Sequence, residues 1–579
     1  MIFRNGRTTS TKNSSPVLSD TQLGRRSFLV SASVLAGAAL ATPTAVASPL
    51  LRQAPDAAGD LLRNPEFDNG VMAGVPRTDG ATLWTRVTDA PGLAYPADSG
   101  SASGSASGSA GGSGPDGTLA IIVSTREDLS DPVVAETVVV HGNSDNTVHF
   151  EVSGLRPGEM YFYQFRGRGG ESPIGRFKTL RPADSNETVR IGWFTCQGFE
   201  EGYYAAHRHL ADEDLDLVVC LGDYVYEFTK PGVRGVDANV YPQVLEQMRE
   251  KYRHYRSDAD LRSMHAGHAF LPIWDDHEFR NNYWKNGWTF PVVSDVDTAF
   301  DFQQKKQWAW QSWFEHMPVP RFADDRWRTY RSLRIGRTVE LFAQDARQYR
   351  DVQGCGDNFT GHVVCDDADT PGRSVLGAAQ KDWLLSGLTR TDARWKVMAN
   401  ANMMMGMVVA DDGARAWMDT WDGYGAERAE LLSTVAEKVD NFVVVTGDDH
   451  DGFAGELWDT GFAKGTASGA QVNPGGTRRA GVEFVVPSVT STNTGDGGYT
   501  NLGSSDAKAG ARAEEQQRLS RNPHLRYIDM VAHGYGVLEA TADDMRFHFR
   551  HVDKLDPNAG VTTGASFHVP TREATINRL

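Results

Sequence analysis

The chain has 579 residues, 40% apolar and 23% charged, with 14 Trp, 26 Phe and 17 Tyr. That balance supports a large buried core and excludes wholesale disorder, collagen and coiled coil; at about 150 residues per domain it allows three or four units, or one large catalytic body with additions. Lys and Arg number 58 against 75 Asp and Glu, a net charge of -17, which argues against a nucleic-acid-binding module and suits hard cations.

Residues 1–47 read as an export signal. Arg25-Arg26-Ser27-Phe28-Leu29 opens an apolar run to Ala41, too short to span about 30 Å of hydrocarbon, and Ala45-Val46-Ala47 looks like a signal-peptidase site. The paired arginines before a mildly apolar stretch resemble a twin-arginine signal, whose export machinery carries folded proteins; an ordinary secretory signal with a chance Arg pair is the alternative. Either reading makes the product secreted. A linker follows at 48–63. From Asn64 to Arg181, short alternating segments such as Ala81–Val87, Thr118–Val123 and Met160–Phe165 predict strands with one wet face, the cadence of a small all-β sandwich resembling fibronectin and immunoglobulin modules. Within it, 99–117 is almost pure Ser, Gly and Ala and predicts a solvated, disordered loop.

From Glu187 the pattern changes. Strand-like runs at Val189–Thr195, Leu215–Gly222, Phe270–Trp274, Thr338–Phe342, Trp395–Asn400, Phe442–Gly447 and Val482–Val486 are interleaved with helix-like stretches at Pro242–Tyr255, Phe300–Phe314 and Glu427–Lys438. Alternation of this kind predicts an α/β layered catalytic body over 187–555, with 556–579 as a C-terminal tail. Gly534–Val552 reads as two further strands, candidates to close over the site. Of the four cysteines, Cys355 and Cys365 bracket a short polar segment and are the expected disulfide in an oxidising compartment. Cys220, inside Leu217–Leu221, reads as a small core hydrophobe, whereas Cys196 ends a strand and begins a loop.

Polar and metal-binding side chains collect just after these strands, where open α/β sheets place their sites. The ends read Phe194-Thr195-Cys196-Gln197, Leu221-Gly222-Asp223-Tyr224-Val225-Tyr226-Glu227, Trp274-Asp275-Asp276-His277-Glu278, Ala399-Asn400 and Thr446-Gly447-Asp448-Asp449-His450. One Asp after a strand is ordinarily a turn or a cap. Carboxylates gathered at several strand ends are most simply explained by cations.

The succession GDYVYE, WDDHE, a strand ending in Asn, and GDDH resembles the alkaline phosphatase D (PhoD-like) family, a branch of the metallophosphoesterases. Matching text also includes DARQYR at Asp345–Arg350, WDGY at Trp421–Tyr424 and FVVPSVTS at Phe484–Ser491, so the resemblance covers about residues 64–555. It implies a metallophosphoesterase-like catalytic domain, a β-sandwich flanked by helices, behind the small N-terminal sandwich. Where ordinary members begin Asp-x-His, this chain has Cys196-Gln197-Gly198. The resemblance therefore implies that a Cys196 thiolate and a Tyr226 phenolate join Asp223 and His450 around one Fe3+, for which such donors are suited. It implies a second lobe of oxygen donors, Asp223, Asp276, Asp448 and Asn400, around one or two Ca2+. Ions of this kind generate hydroxide from bound water and clamp an in-line displacement at phosphorus. His277 would protonate the leaving oxygen or hold a phosphate oxygen, unless it only orients its neighbour. Arg347 and Arg350 either meet phosphate oxygens or pair with acids.

Other residues invite a role and do not carry one. His207 and His209 lie two apart on a predicted helix, point in different directions and are expected at the surface. Met403, Met404, Met405 and Met407 read as core filling rather than a copper site, and Trp274, Tyr283, Trp284, Trp421 and Tyr424 either line the mouth or simply pack. The functional expectation is a secreted, metal-dependent hydrolase of phosphate esters, releasing phosphate from monoesters with diesterase activity besides. Its rivals are a phospholipase D-like phosphodiesterase working at a lipid surface and a non-catalytic extracellular binding protein built on the sandwich.

Overall fold

The computed structural model describes residues 61–90, 117–228, 232–235, 241–288, 299–356, 362–363, 365–415, 417–459, 478–498 and 503–579. The export signal, most of the linker and all but the last residue of the Ser/Gly/Ala stretch lie outside these residues.

Leu217–Leu221, Ala269–Ile273 and Phe442–Thr446 are buried at every position, as parallel strands covered on both faces must be. The first two belong to a ten-stranded sheet. Its order is Asn577–Arg578, Val561–Pro570, Asp544–Val552, Gly534–Ala540, Val189–Phe194, Leu217–Leu221, Ala269–Ile273, Val71–Arg77, Gly80–Arg86 and Thr147–Val152. The third belongs to a seven-stranded sheet ordered Arg331–Ile335, Val339–Ala343, Trp395–Asn400, Phe442–Thr446, Arg479–Val485, Gly452–Trp458 and Leu525–Asp529. The two sheets pack face to face: Phe484 of the smaller stacks on Phe547 of the larger at 4.3 Å, and Tyr527 meets Phe549 and Phe567 at 5.0 and 5.6 Å. Helices Ala205–Asp212 and Ala259–Gly267 pack on the ten-stranded sheet, and Gly377–Arg390 and Gly425–Lys438 on the other. The layered α/β expectation holds, and the helix and strand positions agree within a few residues.

Two expectations change. The N-terminal region is not a free-standing immunoglobulin-like sandwich: three of its strands continue the catalytic sheet, with Ala73 and Gly74 paired in parallel to Ala269 and Phe270. Val71–Gly74 is buried throughout, so it needs a partner on each edge, and Gly74 admits Pro318 so closely that a Cβ would sit 2.2 Å from its carbonyl oxygen. Val134–Val140, Gly117–Ser124, Met160–Arg166 and Gly175–Lys178 form a separate four-stranded sheet. The stretch read as a C-terminal tail is instead the strand Val561–Pro570, whose Ala565, Phe567 and Val569 alternate inward and pair along Asp544–Val552. The two strands of Gly534–Val552 exist, but they extend the sheet beside Val189–Phe194 rather than covering the site.

A buried ion cluster ties the N-terminal strands to the catalytic helices. Asp145 accepts from Arg86 at 2.9 and 3.0 Å, from Arg253 at 2.9 Å and from His316 at 3.0 Å. Burial alone would raise its pKa, but these donors outweigh it and hold the carboxyl far below its ordinary range. Cys355 and Cys365 form the expected disulfide, and Cys220 sits in the core.

Candidate metal centre

Adjacent strands of both sheets end on one rim and deliver the polar residues there. Val189–Phe194 leads to Cys196, Leu217–Leu221 to Asp223 and Tyr226, Ala269–Ile273 to Asp275, Asp276 and His277, Trp395–Asn400 to Asn402, and Phe442–Thr446 to Asp448 and His450. Cys196, Asp223, Asp448 and His450 all take left-handed backbone conformations, with φ of 53°, 56°, 66° and 68°. That region costs an L-residue about 1–2 kcal/mol, and strain gathered in this way marks functional sites. Gly222, at φ 101°, lets its turn lie against Asp275, where a Cβ would come within 2.5 Å of the Asp275 Cβ.

The side chains converge in two lobes that share Asp223. In the first, Cys196 Sγ lies 3.5 Å from Asp223 Oδ2, and the Tyr226 hydroxyl lies 3.0 Å from the same oxygen and 3.2 Å from His450 Nε2. One ligand atom each from Cys196, Asp223 and His450 falls within 4.8 Å of the others. In the second lobe the same holds for Asp275, Asp276 and Asp448, and for Asp223, Asp276 and His277. His450 turns its Nδ1 to the Thr492 carbonyl at 2.8 Å, and the Asn282 N–H donates to Asp276 Oδ2 at 2.6 Å. Glu278 accepts the backbone N–H groups of Asp223, Tyr224 and Asp275 at 2.8–3.1 Å, locking two of the turns together. His277 points Nδ1 at Glu227 Oε2, 2.7 Å away, and stacks on Tyr226 at 4.2 Å.

Negative groups outnumber positive ones in these lobes. Burial and neighbouring carboxylates push Asp223 and Asp448 well above the carboxylate range and Asp275 up to about 6, and the same causes raise Cys196 and Tyr226. Asp276 goes the other way, because His277 and Arg347 overcome its burial. Two buried oxygens, Asp276 Oδ1 and Asn402 Oδ1, have no hydrogen-bond partner among the described residues. Orphaned oxygens beside carboxylates of raised pKa are what a site for cations presents. The residues fit a two-metal centre: sulfur, phenol, imidazole and carboxylate in one lobe, oxygens in the other.

Seven of the expected site residues are brought together: Cys196, Asp223, Tyr226, Asp276, His277, Asp448 and His450. Asn400 is not. Its amide donates to the Asn402 carbonyl and to Thr446 Oγ1, and its oxygen accepts from Gln344 and from Trp421 Nε1, so its capacity is spent beneath the site. Asn402 is the amide that reaches the carboxylates, donating to Asp448 Oδ2 at 3.1 Å and keeping Oδ1 without a partner among the described residues; its only signal in the sequence was an amide embedded in an apolar run. For Arg347 the structure takes the second of its two readings, pairing with acids, though with buried ones. Fully buried, it donates to Asp275 Oδ1 at 2.5 Å and to Asp419, which Arg350 also holds, so both arginines brace acids from below. Glu227, Glu278 and Ser491 were given no role from the sequence because the partners that define them, His277 for the first, Asp223 and Tyr224 for the second and Tyr226 for the third, lie 50 or more positions away. His207 is buried, not exposed, and bonds Gln197 Oε1 at 2.6 Å. The four methionines are core, and Trp274, Tyr283, Trp421 and Tyr424 are buried packing rather than a mouth.

Two packed sheets flanked by helices, with a thiol, a phenol, an imidazole and carboxylates gathered at their strand ends, define a metal-dependent phosphoester hydrolase. The chain belongs to the PhoD-like phosphatase family, whose model matches residues 191–549, while the model of that family's N-terminal domain matches 53–181. It is 30% identical over 558 residues to alkaline phosphatase D of Bacillus subtilis (strain 168), spanning 94% of this chain and 87% of that protein. The solved structure of PhoD aligns with a TM-score of 0.75 at 28% identity, covering 89% of this chain and 92% of the other. A purple acid phosphatase from yellow lupin seeds aligns over 88% of this chain and 74% of its own at 12% identity and a TM-score of 0.49. Through the family model and its relatives the chain is a phosphatase, and its fold is that of the solved PhoD structure. No helix among the described residues is long and apolar enough to cross a membrane.

Proposed function

We propose that this phosphatase is a secreted alkaline phosphatase that hydrolyses phosphate monoesters, and diesters besides, on a binuclear iron–calcium centre. Cys196, Asp223, Tyr226 and His450 would hold Fe3+; Asp223, Asp276, Asp448 and Asn402 would hold one Ca2+, with Asp275 adjoining should a second bind. The observation that carries the reading is the convergence of a sulfur, a phenol oxygen and an imidazole on the carboxylate that also serves the oxygen-only lobe. Bound there, the ions would supply Lewis acidity toward phosphate oxygens and lower the pKa of water.

The chain's own residues do the rest. Burial opposes the charged form of His277, but Asp276, Glu227 and Asp223 together lift its pKa well above the imidazole range. With Nδ1 held by Glu227, the other ring nitrogen is left to give its proton to the departing oxygen. Arg347 holds Asp275 and Asp419, and through them the geometry of the carboxylate lobe. The paired arginines at Arg25-Arg26 support export through the twin-arginine route, which accepts folded, loaded protein. The test is a parallel assay of p-nitrophenyl phosphate, bis-p-nitrophenyl phosphate and phosphatidylcholine. Phosphate released from the monoester, and lost in Cys196→Ala, is the expected result; turnover of the phospholipid alone favours the lipid-directed rival, and release from none of the three contradicts the reading.

A further inference from the structure

The FVVPSVTS segment, Phe484–Ser491, has no assigned part in the chemistry, yet it runs as a strap along the first lobe. Ser488 N–H donates to the His450 carbonyl at 3.0 Å, Val489 N–H to Thr195 at 3.0 Å, and Thr490 and Ser491 N–H both to the Cys196 carbonyl at 3.3 and 3.1 Å. The following residue, Thr492, accepts from His450 Nδ1. The outer side of the strap is pinned as firmly: Lys554 Nζ donates to the Thr490 carbonyl at 2.7 Å and to Asp496 at 2.6 Å, and Glu201 accepts the Thr492 N–H at 2.6 Å. Ser488, His533 and Asp496 have the outline of a hydrolytic triad, with Ser488 Oγ 2.9 Å from His533 and His533 3.0 Å from Asp496. All three are buried, and the Ser488 hydroxyl donates to the Ser491 carbonyl at 2.6 Å, so the group is a strut rather than a nucleophile.

Ser491 is where the strap touches the donors directly. The Gly198 N–H donates to Ser491 Oγ at 3.0 Å, and the Ser491 hydroxyl donates in turn to the Tyr226 phenol oxygen at 2.7 Å. Ser491 is completely buried, so bulk solvent does not reach that hydrogen bond. We propose that Ser491 is a positioning residue for the iron lobe, fixing the direction of the Tyr226 oxygen and withdrawing electron density from it through this hydrogen bond. The proposal rests on the reading of Tyr226 as an iron ligand. Outer partners of this type set ligand orientation and strength, and their loss typically weakens metal binding by about 10–100-fold.

The test uses the full chain loaded with ferric iron, in wild type, Ser491→Ala, Ser491→Thr, Tyr226→Phe and the Ser491→Ala/Tyr226→Phe double variant. The readouts are the visible phenolate-to-iron absorption band and the iron retained against a chelator. Removing the donor raises the energy of the phenolate electrons, so Ser491→Ala should move the band to longer wavelength; it also releases the phenol oxygen from its fixed direction, and that loss of orientation should weaken retention by about 10-fold or more although the phenolate itself becomes the stronger donor. Ser491→Thr, which keeps the hydroxyl, should restore both. In the Tyr226→Phe background Ser491→Ala should cost no further retention, since the effect passes through the phenol. Should Ser491→Ala fail to fold, Ser491→Cys, similar in shape and a weak donor, must show the same shift. An unchanged band and retention in folded Ser491→Ala, or in Ser491→Cys where the alanine variant does not fold, overturn the proposal, as does an equal loss with and without the phenol. Wild-type protein that binds ferric iron without a visible band overturns the Tyr226 assignment itself, and the proposal with it.

Discussion

Asp145, at the junction of the N-terminal strands and the catalytic helices, is met by Arg86, Arg253 and His316, whereas Asp223, at the strand-end rim, faces Asp276, Asp275 and Glu278 with His277 as its nearest cation. Both carboxylates are deeply buried. Side-chain donors offset the burial of the first and hold its pKa down; burial pushes the second up, and its acidic neighbours add to the shift. The contrast separates a structural acid cluster, balanced by donors within the chain, from one that burial and like charges leave unbalanced, as a site for cations would be. Positive φ at four candidate ligands reinforces the distinction, because backbone strain of that density is tolerated where function requires it.

The two clusters differ most in what they do for activity. Cys196→Ala and Asp223→Asn should reduce phosphatase turnover to background and remove metal while leaving the protein folded, as metal content and circular dichroism would report. His277→Ala should lower kcat by about 10²–10⁴-fold for alkyl phosphates and much less for p-nitrophenyl phosphate, whose leaving group needs no proton. At the other cluster the effects reverse. Asp145→Ala should destabilise by about 3–5 kcal/mol in denaturant titration, since it leaves buried cations unpaired, with metal content unchanged. Stripping the metals should cost the wild type about 3 kcal/mol of stability relative to protein at 100 times the dissociation constant, and cost Asp223→Asn little.

Acidity sharpens the same contrast with the smallest effect. Asp145 has a depressed pKa, so its contribution is present above the ordinary carboxylate range and fades as pH falls through and below that range. In metal-free protein Asp275 and Glu278, raised to about 6 and about 7 chiefly by burial, act oppositely: their contribution is complete at low pH and lost as pH rises through those values. Metal-free protein should therefore be most stable near pH 5 and lose about 1–3 kcal/mol by pH 8, and bound metals should abolish that loss. Unfolding midpoints from pH 4 to 9, with and without chelator, decide it.

Much of this was legible in the chain because parallel strands buried on both faces leave uninterrupted apolar runs, and the residues after Phe194, Leu221, Ile273 and Thr446 announce themselves by contrast. The Asn400/Asn402 distinction was not, since the two residues have the same parity and only the turn after the strand decides which one reaches the carboxylates. The pairing of Val71–Arg77 with Ala269–Ile273 joins segments nearly 200 residues apart and leaves no local signature. Val561–Pro570 passed for a tail because its first four residues are exposed and its inward alternation begins only at Ala565. Arg347 reads identically in sequence whether it faces phosphate or a buried Asp275.

Whether two different ions share Asp223, as proposed, is decided by anomalous X-ray diffraction from metal-replete crystals. One iron peak is expected among Cys196, Asp223, Tyr226 and His450, and calcium density among Asp223, Asp276, Asp448 and Asn402. An iron-free first lobe, or Cys196 and Tyr226 turned away from any bound ion, would contradict the proposal.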